Sequence, residues 1–300
     1  MSRSDKAAWA IAVTWLVICT VGPFLVFTLL DTRLPNDHDD YYTAPEVDAI
    51  AAGLHDGLVQ RTVGAAARTW GSGQARPQGI EMIHAAFVAA FGPSLTAYRL
   101  ANLPFLLLLV GGMLWVGAQV LGRRGGVLAA FVVATLPVVL NQSRKVETQF
   151  HSTAIAVVAL GVCLYLLRNP RVGLKPWLAL GLLQGLRCYT HPIALPDIVA
   201  AYAGLAAVLL LVLPWDRETL TTWGRGWVLA AVTGLAIGGR FLFGSGAPSL
   251  RQYMDSSATW LIPEGMAGVM SSLAYELGRA ASFAVFEHLF LPVVLLFFVP

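Results

Sequence analysis

Charge is what this 300-residue chain has least of: Asp, Glu, Lys and Arg together make up 12% of it, where a soluble domain carries about a quarter. With 57% hydrophobic residues and a mean hydropathy of +0.67, that deficit excludes a solvated globular domain and leaves a polytopic membrane protein. Cysteine is scarce as well. Cys19, Cys163 and Cys188 lie in or beside apolar runs with no metal-ligand spacing and no pairing pattern, which excludes a disulfide scaffold or a zinc module and leaves packed thiols. A net charge of +3 offers no basic surplus for nucleic acid. No fixed-period repeat and no low-complexity tract is evident, so a solenoid or a disordered linker is not expected either.

What the chain does have is long apolar runs, and the basic residues between them set an order. The first run, Ala7–Leu30, is followed by no small-residue cleavage site and is long for a signal peptide, so it reads as a retained span. Arg3 and Lys6 precede it, which puts the N-terminus in the cytoplasm. Further spans are read at Leu95–Leu121, Val127–Leu140, Ser152–Leu167, Pro176–Leu186, Pro192–Leu213, Trp227–Phe243 and Ala281–Val299. Val127–Leu140 is short and contains Pro137, so a re-entrant hairpin competes with a crossing. Charge decides for the crossing, because otherwise Arg168, Arg171 and Lys175 would fall on the side opposite Arg123 and Arg124. Pro214–Gly226 reads as a loop on that same basic side. The expected fold is therefore all-α, a single polytopic transmembrane bundle over residues 1–300 that reads as incomplete at its C-terminus, since the sequence stops inside an apolar segment.

The first outer loop, about residues 31–94, holds the densest chemistry. Asp37, His38, Asp39, Asp40 and Glu46 crowd together just beyond the first span. Thr43-Ala44-Pro45-Glu46 is a capping box with proline in the first turn, and it opens a helix with Val47, Ile50, Ala51, Leu54 and Leu58 on one face. A second helix places Ile80, Ile83, His84, Phe87, Val88 and Phe91 on one face and ends at Gly92-Pro93. Both read as amphipathic surface helices.

The topology brings the acid cluster to the same side as Arg99, Ser143-Arg144-Lys145, Glu147, Arg187, His191 and Arg240. Acids facing bases at a membrane surface suit an anionic lipid donor and an acceptor that must lose a proton. Plainer readings stand beside each residue. The acids can be a solvated loop, Arg99 a snorkelling anchor, and Glu147 a partner of Arg144. His84 reads as interfacial packing, His191 as a cap or structural polar group, and Glu287-His288 as a paired or cavity-facing group within the last apolar segment.

Three stretches carry a resemblance: Asp39-Asp40 followed by Tyr41 and Tyr42, then RPQGIEMIHAAFVAAFGPSLTAYRL, then LGRRGGVLAAFVVATLPVVLNQSRKVETQF. In that order and spacing, roughly over Ala7–Leu167, the chain resembles the membrane glycosyltransferases of the GT-C superfamily, in the group of protein O-mannosyltransferases and aminoarabinose transferases. It departs from the pattern at Pro77-Gln78-Gly79, where the family often has Pro-Pro-Leu, and in offering Glu147 and Gln149 where the family often has Asp.

The resemblance implies an inverting glycosyltransferase, hexosyl or pentosyl, that moves a sugar from a polyprenyl-phosphate donor to a glycan, lipid or protein acceptor. It would work on the periplasmic face of a bacterial inner membrane. Asp39, Asp40 and Glu147 are then the catalytic acids, and Arg99, Arg144, Lys145, Arg187 and Arg240 the donor-phosphate ligands. A departing polyprenyl phosphate needs positive charge more than a general acid, and the acceptor hydroxyl needs a carboxylate base. Asp37 and Asp39 can also ligate a divalent cation, Mg or Mn, through two carboxylates. Two other classes use the same charges: a lipid or solute transporter or flippase, and a non-catalytic scaffold derived from a transferase. Internal repeats would favour the transporter, and none is evident.

Overall fold

The computed structural model describes residues 3–30, 79–145, 148–190, 194–211 and 216–243. All of these belong to a compact unit spanning Met1–Ser245; Gly246–Pro300 forms a second unit, none of whose residues are among those described. Asp37, Asp39, Asp40, Glu147, His191, Glu287, His288 and the capping-box helix lie outside the described residues.

Among the described residues every regular element is a helix: α1 (Arg3–Leu30), α2 (Gly79–Phe91), α3 (Leu95–Leu100), α4 (Leu103–Thr135), α5 (Pro137–Gln142), α6 (Thr148–Arg168), α7 (Lys175–Thr190), α8 (Ala194–Leu211) and α9 (Arg217–Phe243). Three stretches, Trp9–Leu30, Leu95–Thr135 and Phe150–Arg168, are long and apolar enough to cross a membrane. On α1, Trp15, Ile18 and Leu30 are more than half exposed. Water would penalise such a face and hydrocarbon would not.

The longest helix is in fact a hairpin. Gly122 sits at φ 76°, ψ 177°, inside the stretch labelled α4, a backbone state that suits glycine because it has no Cβ to clash. Across this turn Gly117 abuts Gly126, where an added Cβ would lie 2.9 Å from the facing Cα. The second limb therefore runs back along the first and passes through α5, until the Lys145 carbonyl reaches Asn102. Val127–Leu140 thus forms a limb antiparallel to the first, broken at Leu136 (ψ 122°) because Pro137 cannot continue the ladder.

The sequence also reads Leu95–Leu121 as one span, and here the structure differs. A turn at Ala101–Asn102 divides it into α3 and α4. Ser94 caps α3 by accepting from the Ala97 N–H, and Pro104 sits in the first turn of α4, where its missing N–H costs nothing. Likewise Pro214–Gly226 is not wholly a loop, since α9 begins at Arg217. Asp216 starts it by accepting from the Thr219 N–H at 2.8 Å, and Trp223 donates its indole N–H to the Pro170 carbonyl at 2.9 Å.

Packing fixes which ends coincide. The first limb of α4 and α6 run in the same direction: His151 lies against Phe105, Val157 against Gly112, and the Gly161 carbonyl accepts from Gln119. α7 and α9 are also parallel, with Trp177 beside Gly226, Gly181 beside Ala230 and Cys188 beside Gly238. Consequently Gly122–Gly126, Asn169–Lys175 and Asp216–Glu218 share one end, and Asn102, Lys145 and His151 share the other. One apolar core, around Phe24, Leu106, Ala134 and Phe150, joins α1, α4 and α6. A second, around Leu166, Trp177, Leu180 and Trp223, joins α6, α7 and α9.

Candidate functional site

The polar centre of the described bundle is Asn102, at the joint between α3 and α4. Its amide nitrogen donates to the Lys145 carbonyl at 2.6 Å. A backbone carbonyl can only accept, so this bond fixes the amide orientation and leaves Oδ1 facing the other way. There it meets two imidazoles: His84 Nε2 at 3.0 Å and His151 Nε2 at 2.8 Å. An oxygen cannot donate, so both histidines must carry their proton on Nε2. The sequence of constraints runs from one carbonyl to one amide to two ring tautomers.

All three side chains are 0% exposed. Their rings are held edge to face, His84 to His151 at 5.4 Å and Phe105 to His151 at 4.3 Å. A buried polar group without partners costs several kcal/mol in hydrocarbon, so a closed network is the form in which such a group survives there. This corrects the interfacial reading of His84: its ring is turned into the bundle and ties α2 to α4 and α6.

The basic residues divide. Arg99, in the last turn of α3, is only 4% exposed, so it is not an anchor reaching outward to headgroups. Arg144 is half-buried and points toward α1, with its guanidinium 5.4 Å from the centre of the Phe27 ring and its Nε donating to the Leu140 carbonyl. Lys145 follows it, and its carbonyl belongs to the Asn102 network. Arg187, 4% exposed in the last turn of α7, donates to Gln184 Oε1 at 3.1 Å and lines a cavity with it. Arg240 lies two residues past Gly238, which abuts Cys188, so the backbone brings it to the same end of the bundle as Arg187.

Asn102, His151 and Gln184 are residues that sequence reasoning did not single out. Asn102 is a lone polar residue at a helix joint and Gln184 one within an apolar stretch, while His151 stands in the polar first turns of α6 beside Gln149, Ser152 and Thr153; membrane spans carry such residues at a cost. That cost is the signal available in the sequence. It does not name partners, which here lie 18 and 49 positions apart. The catalytic and metal candidates Asp37, Asp39, Asp40 and Glu147 fall outside the described residues.

Comparison of the chain with protein-family models, with curated proteins and with solved structures found no match.

Proposed function

We propose that the chain is a membrane glycosyltransferase of GT-C type that uses a polyprenyl-phosphate sugar, with its chemistry at the Asn102 end of the bundle. The observation that supports this most is the buried Arg99 (4% exposed), three residues before a closed His84–Asn102–His151 network. A guanidinium in low dielectric is strongly attracted to a phosphate, and its planar fork grips the oxygens in pairs. Arg144, Lys145 and Arg240 add charge at the same end, and Arg187 lines a separate cavity there.

The opposite end carries Arg123, Arg124, Arg168, Arg171 and Lys175. Under the positive-inside rule that end is cytoplasmic, which directs the Asn102 end outward, to the periplasmic side of a bacterial inner membrane. Asp39 and Asp40 precede α2 in the sequence, and His84 binds α2 to the network. In this reading one of these carboxylates deprotonates the acceptor hydroxyl while basic residues hold the departing phosphate. Asp37 with Asp39 can hold a divalent cation that assists.

The test is turnover. Purified chain in lipid nanodiscs, given a polyprenyl-phosphate sugar and a mixture of acceptors, should release polyprenyl phosphate. Asp39→Asn or Asp40→Asn should lower turnover by roughly 10²–10⁴ and leave donor affinity in place. Parent-level turnover in both single variants and in the double variant would remove the acids from the mechanism.

A further inference from the structure

The turn at Gly122 and the last turn of α6 meet at one corner of the bundle. Gly112 lies against Val157 and Trp115 against Gly161. Because the two helices run parallel, the same register carried on brings Gly122 level with Arg168. Arg123 and Arg124, in the turn, therefore stand at the level of Arg168 on the neighbouring helix, and all three side chains are exposed. Like charges gathered in this way repel, and only counter-ions relieve them. The acids Asp216 and Glu218, at the same end, do not serve, since Arg171 holds both, at 3.2 and 3.7 Å. Among the described residues none of the three arginines belongs to an ion pair.

Apolar side chains fix the depth of these cations. Val120 and Leu121, just before the turn, are 58% and 69% exposed, and Leu128, just after it, is 48% exposed. Tyr165 is exposed as well, one helical turn before Arg168. In a bilayer such apolar faces border hydrocarbon, and the adjoining arginines reach the first polar layer beyond it. A tyrosine belongs at the same boundary. In a phospholipid leaflet that layer is the phosphodiester, whose two anionic oxygens match a guanidinium fork. A zwitterionic headgroup carries its own cation beside each phosphate, whereas a headgroup that ends in glycerol arrives with net negative charge. Charge complementarity at three uncompensated arginines selects the second kind.

We propose that the corner formed by Arg123, Arg124 and Arg168 binds the headgroup of an anionic phospholipid of the surrounding leaflet. The phosphodiester lies between the Gly122 turn and the end of α6, and the acyl chains follow the exposed apolar faces beside them. The proposal needs the bundle to lie in a membrane and does not depend on the transferase reading, because it concerns the end opposite Asn102 and a lipid that is not a substrate. A headgroup held by both elements ties the hairpin of α4 to α6, and a ligand bound only by the folded chain stabilises it.

The experiment uses the full chain in phosphatidylcholine nanodiscs containing a trace of phosphatidylglycerol with a photoreactive diazirine on its acyl chain, close to the glycerol. After irradiation the labelled peptides are identified by mass spectrometry. Label should concentrate on residues 115–128 and 160–168, and unlabelled phosphatidylglycerol should compete for it where phosphatidylcholine of the same chains does not. Arg123→Gln, Arg124→Gln and Arg168→Gln should each lower labelling about fivefold, and the triple variant at least tenfold. Arg225→Gln removes an exposed cation from α9, which packs on α7, and should change labelling less than twofold. The three arginines are exposed, so the unfolding midpoint of the triple variant in pure phosphatidylcholine should match the parent's; should that variant fail to fold, the single variants and the competition decide. The proposal is overturned if the variants label like the parent, if phosphatidylcholine competes as well as phosphatidylglycerol, or if Arg225→Gln loses as much as the single variants. It is also overturned if soluble glycerol phosphate competes as well as the lipid, since the site would then take a free anion.

Discussion

Asn102 illustrates how much one side chain can determine. Replacing it with Leu keeps the volume but removes the acceptor of two buried N–H groups and the donor to the Lys145 carbonyl. Each orphaned buried group costs about 1–3 kcal/mol. Asn102→Leu should therefore destabilise the protein by at least about 2 kcal/mol. His84→Leu should cost less, because Asn102 Oδ1 keeps the bond from His151. Thermal unfolding in detergent, with both variants run beside the parent, checks the order. Equal stability of Asn102→Leu and parent would mean the network contributes nothing. At this scale the sequence was least legible. Arg99 was visible as a cation near the end of an apolar run, and its burial was not. His84 was placed on the correct helix, yet its meaning depended on a partner 18 residues away and on another histidine that spacing could not connect to it.

Elements were more readable, because each is set by local chemistry. Gly92-Pro93 ends α2 as expected, and α2 itself, Gly79–Phe91, follows the apolar periodicity of Ile83, Phe87 and Val88. The start of α9 was missed by ten residues because Trp227 was taken as the onset of apolarity, whereas Asp216 sets the helix start by capping. This cap carries a pH dependence. Asp216 lies before the apolar part of α9, and its carboxyl is held below its ordinary 3.8, first by the Thr219 N–H, against some loss of hydration, and then by the Thr219 hydroxyl and Arg171. A depressed pKa means the unfolded chain binds the proton more readily. The cap's contribution is thus complete above 3.8 and is lost as pH falls through the lower folded value. Stability measured across that acid range should fall more steeply in the parent than in Asp216→Asn, and parallel curves would contradict the assignment. The exposed pair of Arg171 with Glu218, at 3.7 Å, should matter little. Helix contact gives a sharper test. A Cβ at Gly181 would lie 2.5 Å from the Ala230 carbonyl oxygen, so Gly181→Leu should force α7 and α9 apart and cost about 1–3 kcal/mol. Gly204→Leu, which meets open space, should be close to neutral in the same unfolding measurement.

For the whole molecule, hydropathy and the distribution of Lys and Arg were enough to anticipate a helical membrane bundle. The hairpin at Gly122 and the shared end of Asn169–Lys175 and Gly122–Gly126 follow from the same charge argument that favoured a crossing over Val127–Leu140. What linear reading could not supply is depth. Arg99 and Arg187 look alike in sequence, each near the end of an apolar stretch, but one adjoins the Asn102 joint and the other lines a cavity between α6, α7 and α8. On the proposed function, Arg99 meets the phosphate of a lipid-linked sugar. The direct measurement is the equilibrium Kd for polyprenyl phosphate in nanodiscs, for the parent and for Arg99→Gln. A charge-assisted contact of about 1.5–3 kcal/mol predicts that Arg99→Gln weakens binding roughly 10- to 150-fold. An Arg99→Gln affinity equal to the parent's would contradict the placement of the donor at the Asn102 end.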